Sequence, residues 1–144
     1  MRSATPADAP AWLAMRIALW PESPEDHAPE IEKYFGGELR MPAEVLLAFD
    51  GDRAVGLVEL SFRPYAEGCV TDPVAYLEGW YVVPEARRLG VGRVLMVAAE
   101  DWARGQGCTE FASDALVDNA ISWKAHLALG FAETEVIRCF RKGL

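Results

Sequence analysis

The amino-acid sequence predicts an α+β fold, a mixed and largely antiparallel twisted sheet flanked by about four helices, in one domain spanning residues 1–144. Three observations predict it. Two apolar runs, Val45–Phe49 and Ala54–Phe62, flank Asp50-Gly51-Asp52, the signature of a tight β-hairpin. A third run, Val74–Val83, breaks at Pro84 into an Arg/Gly loop that opens an amphipathic helix. After that helix comes a short apolar run, Phe111-Ala112-Ser113, which completes a strand–helix–strand unit in mid-chain.

The elements follow in order. Thr5-Pro6-Ala7-Asp8 reads as a helix start, with Thr5 placed to cap and Pro6 suited to the first helical position. Leu13, Ile17 and Trp20 then form one apolar stripe until Pro21 stops the helix. A second, more acidic helix opens at Pro24-Glu25-Asp26-His27 and reaches about Leu39, closed near Gly36-Gly37. The hairpin strands come next, then a loop from Pro64 to Pro73, then the strand Val74–Val83. Gly79 in the middle of that strand signals a bulge or a close approach by another backbone. The following helix carries Val91, Leu95, Ala98 and Trp102 on one face and ends near Gly105 or Gly107. Asp118 or Asn119 caps a last helix running to Leu129, which Gly130 ends in a left-handed conformation. The tail from Thr134 to Arg141 reads as one more strand.

Composition narrows the function. With 51% hydrophobic and 25% charged residues the chain is an ordinary folded globule. Its formal net charge of −8 argues against a nucleic-acid partner and is compatible with a cationic small molecule, as it is with acidity that serves only solubility. The apolar runs fall short of the roughly 20 residues needed to span a membrane, and Met1–Pro6 lacks the apolar core of a secretory signal. Cys69, Cys108 and Cys139 are odd in number and lack metal-ligand spacing, the pattern of reduced thiols in a cytoplasmic protein without a metal.

Against that acidic background stands Arg87-Arg88-Leu89-Gly90-Val91-Gly92-Arg93. Glycines one residue apart at a helix start let the backbone approach an anion, with free N–H groups and the positive end of the helix dipole aimed at it. Arginine side chains add fork-shaped donors suited to phosphate. The Gly-Lys-Ser/Thr ending of a P-loop and the three-glycine dinucleotide fingerprint are both absent.

Arg87-x-x-Gly90-x-Gly92, set between the strand end Tyr81–Pro84 and a long helix, resembles the acyl-coenzyme A pyrophosphate loop of the GCN5-related N-acetyltransferase (GNAT) superfamily. The downstream string Asn119, Ala125, Leu129-Gly130-Phe131 resembles that superfamily's second cofactor motif. Within it, Leu19-Trp20-Pro21, Gly68-Cys69, Asp72-Pro73-Val74, Tyr76-Leu77-Glu78-Gly79, Ala112-Ser113-Asp114 and Glu133-Thr134-Glu135 look like the aminoglycoside 6′-N-acetyltransferases. The resemblance implies a GNAT fold splayed at a bulge in the fourth strand, acetyl-CoA as co-substrate, a small polycationic aminoglycoside as acceptor, no metal, and a homodimer. An acetyltransferase of the same fold acting on a polyamine or amino sugar, and a non-catalytic acyl-CoA-binding domain, are the alternatives.

The resemblance also assigns residues. Backbone groups of Tyr81, Val82 and Val83 are expected to pair with the pantetheine arm, and the amides of Arg88, Leu89, Gly90, Val91, Gly92 and Arg93 to cradle the pyrophosphate. Asn119 is expected to contact the cofactor arm from the other side. An ammonium acceptor near the lysine reference pKa of about 10.4 must lose a proton before it attacks, and Glu78, just before the bulge, is the candidate base. Trp20, Tyr65, Glu78, Asp114 and Glu135 supply the carboxylates and aromatic surface that a polycation needs. His126 stands where many superfamily members carry a tyrosine, and is read either as the acid that protonates the leaving sulfur or as a packing residue. Apolar Val136, Ile137 and Phe140 give the last strand a face for a dimer contact.

Overall fold

A computed structural model describes residues 1–144. In chain order the elements are β1 (Arg2–Ser3), α1 (Ala9–Leu19), α2 (Pro24–Phe35), β2 (Glu44–Asp50), β3 (Arg53–Arg63), β4 (Val74–Val82), α3 (Val91–Gly105), β5 (Phe111–Ser113) and α4 (Ala120–Ala128). Short 3-10 turns at Pro6–Asp8 and Pro84–Ala86 lead into α1 and out of β4. The strands form one sheet in the order β1-β2-β3-β4-β5, antiparallel except for the β4–β5 pair.

The hairpin forms where the Asp-Gly turn places it, with Gly51 at φ +57°. Its alternation divides the core into two layers. Leu46, Val58, Leu60 and Leu77 meet Leu95, Met96 and Ala99 of α3 on one face of the sheet. Val45, Leu47 and Leu57 meet Trp12, Met15 and Ile31 of α1 and α2 on the other. Full burial of side chains this size stabilises by roughly 1.5–3 kcal/mol each, so both layers hold the sheet in place under the site.

Several boundaries differ from the sequence expectation, each for a physical reason. Thr5 caps the short 3-10 turn and not α1 itself, in a capping box with Asp8, whose carboxylate accepts the Thr5 N–H and hydroxyl (both 2.7 Å) and a fork from Arg2. The deepest residues of α1 are Trp12, Met15 and Arg16, beside the expected stripe of Leu13, Ile17 and Trp20. Apolar spacing misses this face because one of its members is an arginine. Helix α2 stops at Phe35, four residues short of Leu39, because Gly37 turns the chain at φ +73°. In α3 the buried face is Leu95, Met96, Ala99 and Ala103, with Val91, Ala98 and Trp102 at its margin.

The largest correction is at the end of the chain. Residues after Gly130 form no strand, and Val136, Ile137 and Phe140 stand exposed. A strand needs a ladder partner for its N–H and C=O groups, and within one chain this tail finds none.

Candidate active site

Strand β4 carries the irregularity that makes the site. Leu60 faces Leu77 and Glu59 faces Gly79, so Glu78 is the extra residue of a β-bulge. The same point ends the β4–β5 ladder, which holds only from Ala75 to Leu77. Beyond it β4 runs on to Val82 with one open edge, the splay that the family resemblance implied. Gly79 is needed there because a Cβ would lie 2.6 Å from the Trp20 ring. The close approach is therefore by an aromatic side chain, not by another backbone.

The open edge has a definite polarity. Val83 N–H bonds to Val55 C=O at 3.0 Å, so Val83, and with it Tyr81 opposite Leu57, belongs to the β3 ladder. Val82 faces the other way, onto the open edge, where Arg87 Nε donates to its C=O at 2.9 Å. Of the three residues expected to offer backbone groups, Val82 is thus the one turned outward.

Beside that edge lies the loop. Arg88 (φ +62°) and Gly90 (φ +87°) alternate left-handed residues with ordinary ones, a geometry that turns successive N–H groups into one concavity. The amides of Arg88, Leu89, Gly90, Val91, Gly92 and Arg93 have no hydrogen-bond partner within the chain; the first one taken up is Val94 N–H, on Gly90 C=O at 3.0 Å. A Cβ on Gly92 would lie 2.7 Å from the Trp80 ring, whereas one on Gly90 would meet nothing, so Gly92 serves packing and Gly90 serves conformation. Six free amides and the start of α3 fit a diphosphate. Asn119 caps α4, its side-chain oxygen accepting Ser122 N–H at 3.0 Å, which leaves its NH2 free.

On the α1 face of the bulge the side chains interlock. Glu78 Oε1 accepts from Ser61 Oγ and from Arg63 Nε (3.0 Å), and Oε2 accepts from Arg63 Nη2 (2.6 Å). The Arg63 guanidinium lies 3.5 Å above the Tyr76 ring, and the Tyr76 hydroxyl donates to Asp114 Oδ2 at 2.6 Å. Burial, then the Asp114 bond, pushes the Tyr76 phenol well up, which keeps it a donor. Two expected acceptor carboxylates, Glu78 and Asp114, are thereby joined through residues the sequence reading did not single out.

Behind them lies a second polar cluster. Glu59 is 2% exposed and accepts Trp12 Nε1–H at 2.7 Å, while Arg16 reaches Glu59 (3.1 Å) and Glu30 (2.7 Å). Burial pushes the Glu59 carboxyl up, and the Arg16 charge opposes that. The Arg16 guanidinium lies 5.5 Å from the Trp20 ring, and His27 Nε2 bonds Trp20 C=O at 2.8 Å. Trp20 is held against Gly79 from both ends.

Tyr65 and Glu135 make no hydrogen bond to either cluster and are exposed. The tail is fastened nearby, however: Thr134 packs on Gly68 and its hydroxyl donates to Glu67 C=O at 3.3 Å, which sets Glu135 next to the loop carrying Tyr65. His126 bridges α4 and β5. Its Nδ1 donates to Ser122 C=O (2.8 Å), and its Nε2 is hydrogen-bonded to the Ser113 hydroxyl (2.9 Å). Both nitrogens are engaged, and the ring packs edge-on to Trp80. No three His, Cys, Asp or Glu side chains are grouped to hold a metal ion. No helix is long and apolar enough to cross a membrane.

A splayed parallel pair with an anion cradle on the following helix is the arrangement that the resemblance to the GNAT acyltransferases implies. The chain belongs to the acetyltransferase (GNAT) family, whose model matches residues 11–131. It is 53% identical over 146 residues to an aminoglycoside N(6′)-acetyltransferase type 1 of Klebsiella aerogenes, covering 100% of this chain and 96% of that one. It is 42% identical to a protein of the same name from Acinetobacter baumannii, covering 92% and 90%. Among solved structures it resembles the apo aminoglycoside 6′-N-acetyltransferase AAC(6′)-IG of Acinetobacter haemolyticus (TM-score 0.91, 41% identity, 99% and 97% covered). It equally resembles AAC(6′)-Iy in complex with the bisubstrate analog CoA-S-monomethyl-acetylneamine (TM-score 0.90, 35% identity, 99% and 97% covered).

Proposed function

We propose that residues 1–144 act as one N-acetyltransferase domain that moves an acetyl group from acetyl-CoA to the 6′-amine of aminoglycoside antibiotics, inactivating them. The observation that carries this is the pairing of the free amides from Arg88 to Arg93 with the Glu78 bulge at the open end of β4. Bound acetyl-CoA supplies an acetyl group already activated as a thioester. Everything else falls to the chain. Val82 N–H, on the open edge, is the donor for the thioester oxygen as charge develops there. Glu78, directly or through a water, takes the proton that the attacking ammonium must lose. Asp114 and Glu135 hold the acceptor's other ammonium groups, with Trp20 and Tyr65 as its aromatic surface. No step calls for a metal. Reduced thiols and the use of acetyl-CoA favour a cytoplasmic protein.

The test is thiol release from acetyl-CoA across a panel of acceptors. Aminoglycosides with a 6′-amine are expected to turn over and 6′-hydroxy analogues to be inert. Turnover of simple polyamines alone would replace the aminoglycoside as acceptor.

We further infer a homodimer in which the exposed tail residues Val136, Ile137 and Phe140 are covered and the free edge of β5 gains a strand. Sedimentation should give twice the 15.9 kDa chain mass, and Phe140→Asp should give the monomer.

A further inference from the structure

Arg63 ends β3 with its guanidinium inside the cluster assigned above to the acceptor. It makes the contacts that an acceptor ammonium would seek: a fork to the Glu78 carboxylate and a cation–π stack at 3.5 Å on Tyr76, whose hydroxyl is tied to Asp114. The side chain is 35% exposed, at the surface of the cluster and not beneath it. A carboxylate offers about four lone-pair sites. Ser61 and Arg63 fill both sites on Oε1 and one on Oε2, so a single acceptor site remains on Glu78, its direction set by the other three bonds.

We propose that Arg63 is a positioning and specificity-determining residue for acetyl transfer. Its fork fixes the one open lone pair of Glu78 toward the acceptor amine. Its charge, resident between Glu78 and Tyr76, keeps the site from gripping a polycation too tightly in the ground state. Binding that is equally strong before and in the transition state does not raise turnover, so the tighter grip of free carboxylates would lower the acceptor KM without raising kcat. The proposal rests on the acetyl-transfer function above.

Arg63→Met removes both effects and gives opposite changes in two constants. The aminoglycoside KM should fall by roughly fivefold, the scale of one unit-charge repulsion across water at contact distance. At the same time kcat should fall on the order of 100-fold from misplacement of the carboxylate, with the acetyl-CoA KM unchanged. Arg63→Lys keeps the charge and loses the fork, so kcat should fall while the acceptor KM stays near wild type. In combination with Glu78→Gln, Arg63→Met should add little further loss in kcat, because it acts through Glu78. A merely structural arginine predicts the reverse, a raised acceptor KM and losses that multiply in the double variant, and either result overturns the proposal. If Arg63→Met does not fold, the same cycle run with Arg63→Lys decides. Absence of any aminoglycoside turnover by the unsubstituted protein would overturn the underlying function instead, and that is read before any substitution is made.

Discussion

The two ends of the open β4 edge are built from different materials. At the bulge, recognition is by side chains, with Ser61, Arg63, Tyr76, Glu78 and Asp114 joined in one chain of hydrogen bonds and a cation–π stack. At the loop it is by backbone, with six free amides and two left-handed residues, while the Leu89 and Arg93 side chains lie exposed and unengaged. The difference follows from what each end must bind. A diphosphate is one fixed shape of clustered negative charge, and amides satisfy it without side-chain entropy to lose. A polycation presents several separated ammonium groups, which only carboxylates on different elements reach. The loop should therefore tolerate most side-chain changes and fail only where conformation is at stake, whereas each member of the acceptor network should matter chemically.

Glu78→Gln probes that division most severely. The amide keeps the shape and can still accept one bond from Arg63, but it has lost the charge and the ability to take a proton. We expect kcat to fall on the order of 100-fold or more, the scale of general-base contributions, with the acetyl-CoA KM within about twofold of wild type. A parallel loss of acetyl-CoA affinity would show that the bulge and the loop are one cooperative unit rather than two.

How much of this was legible beforehand divides along the same line. The features of the donor side are local: an Asp-Gly turn, glycines before a helix, Asn119 as a cap, Gly130 after a helix end. Each is a short-range demand that a few adjacent residues satisfy, so identity and spacing reveal it. Glu78 was legible through the family resemblance, with the mid-strand glycine beside it marking the bulge. The acceptor network was not, because its bonds run from β3 to β4 in a register that the bulge itself resets. One signal was present. Glu59, Ser61 and Arg63 are polar at every second position of an otherwise apolar strand, which puts all three on the α1 face. Arg16 escaped for the opposite reason, as a charge on a buried helix face where only apolar spacing was sought. The tail strand failed because pairing is a property of two segments, and the sequence of one does not say whether the other is within reach.

The mildest probe lies at the loop. Gly90 holds φ +87° with open space where a Cβ would project, so any penalty for a side chain there comes from the backbone alone. The left-handed region costs an ordinary residue about 1–2 kcal/mol, and a β-branched one more. Gly90→Val should relieve this by turning the loop out of its left-handed alternation, which redirects the amides that precede Val94. At about 1.4 kcal/mol per factor of ten, the acetyl-CoA KM should rise roughly tenfold, measured by thiol release at saturating acceptor. Because nothing packs on that Cβ, the acceptor KM should not move, and kcat at saturating acetyl-CoA should stay within about twofold of wild type. Gly92→Val offers the contrasting route to the same loss, since its side chain collides with Trp80 and carries the damage into the core. It should lower the melting temperature as well, which Gly90→Val should not. If both variants lose stability alike, then the loop is held by packing after all, and the contrast between a backbone end and a side-chain end fails.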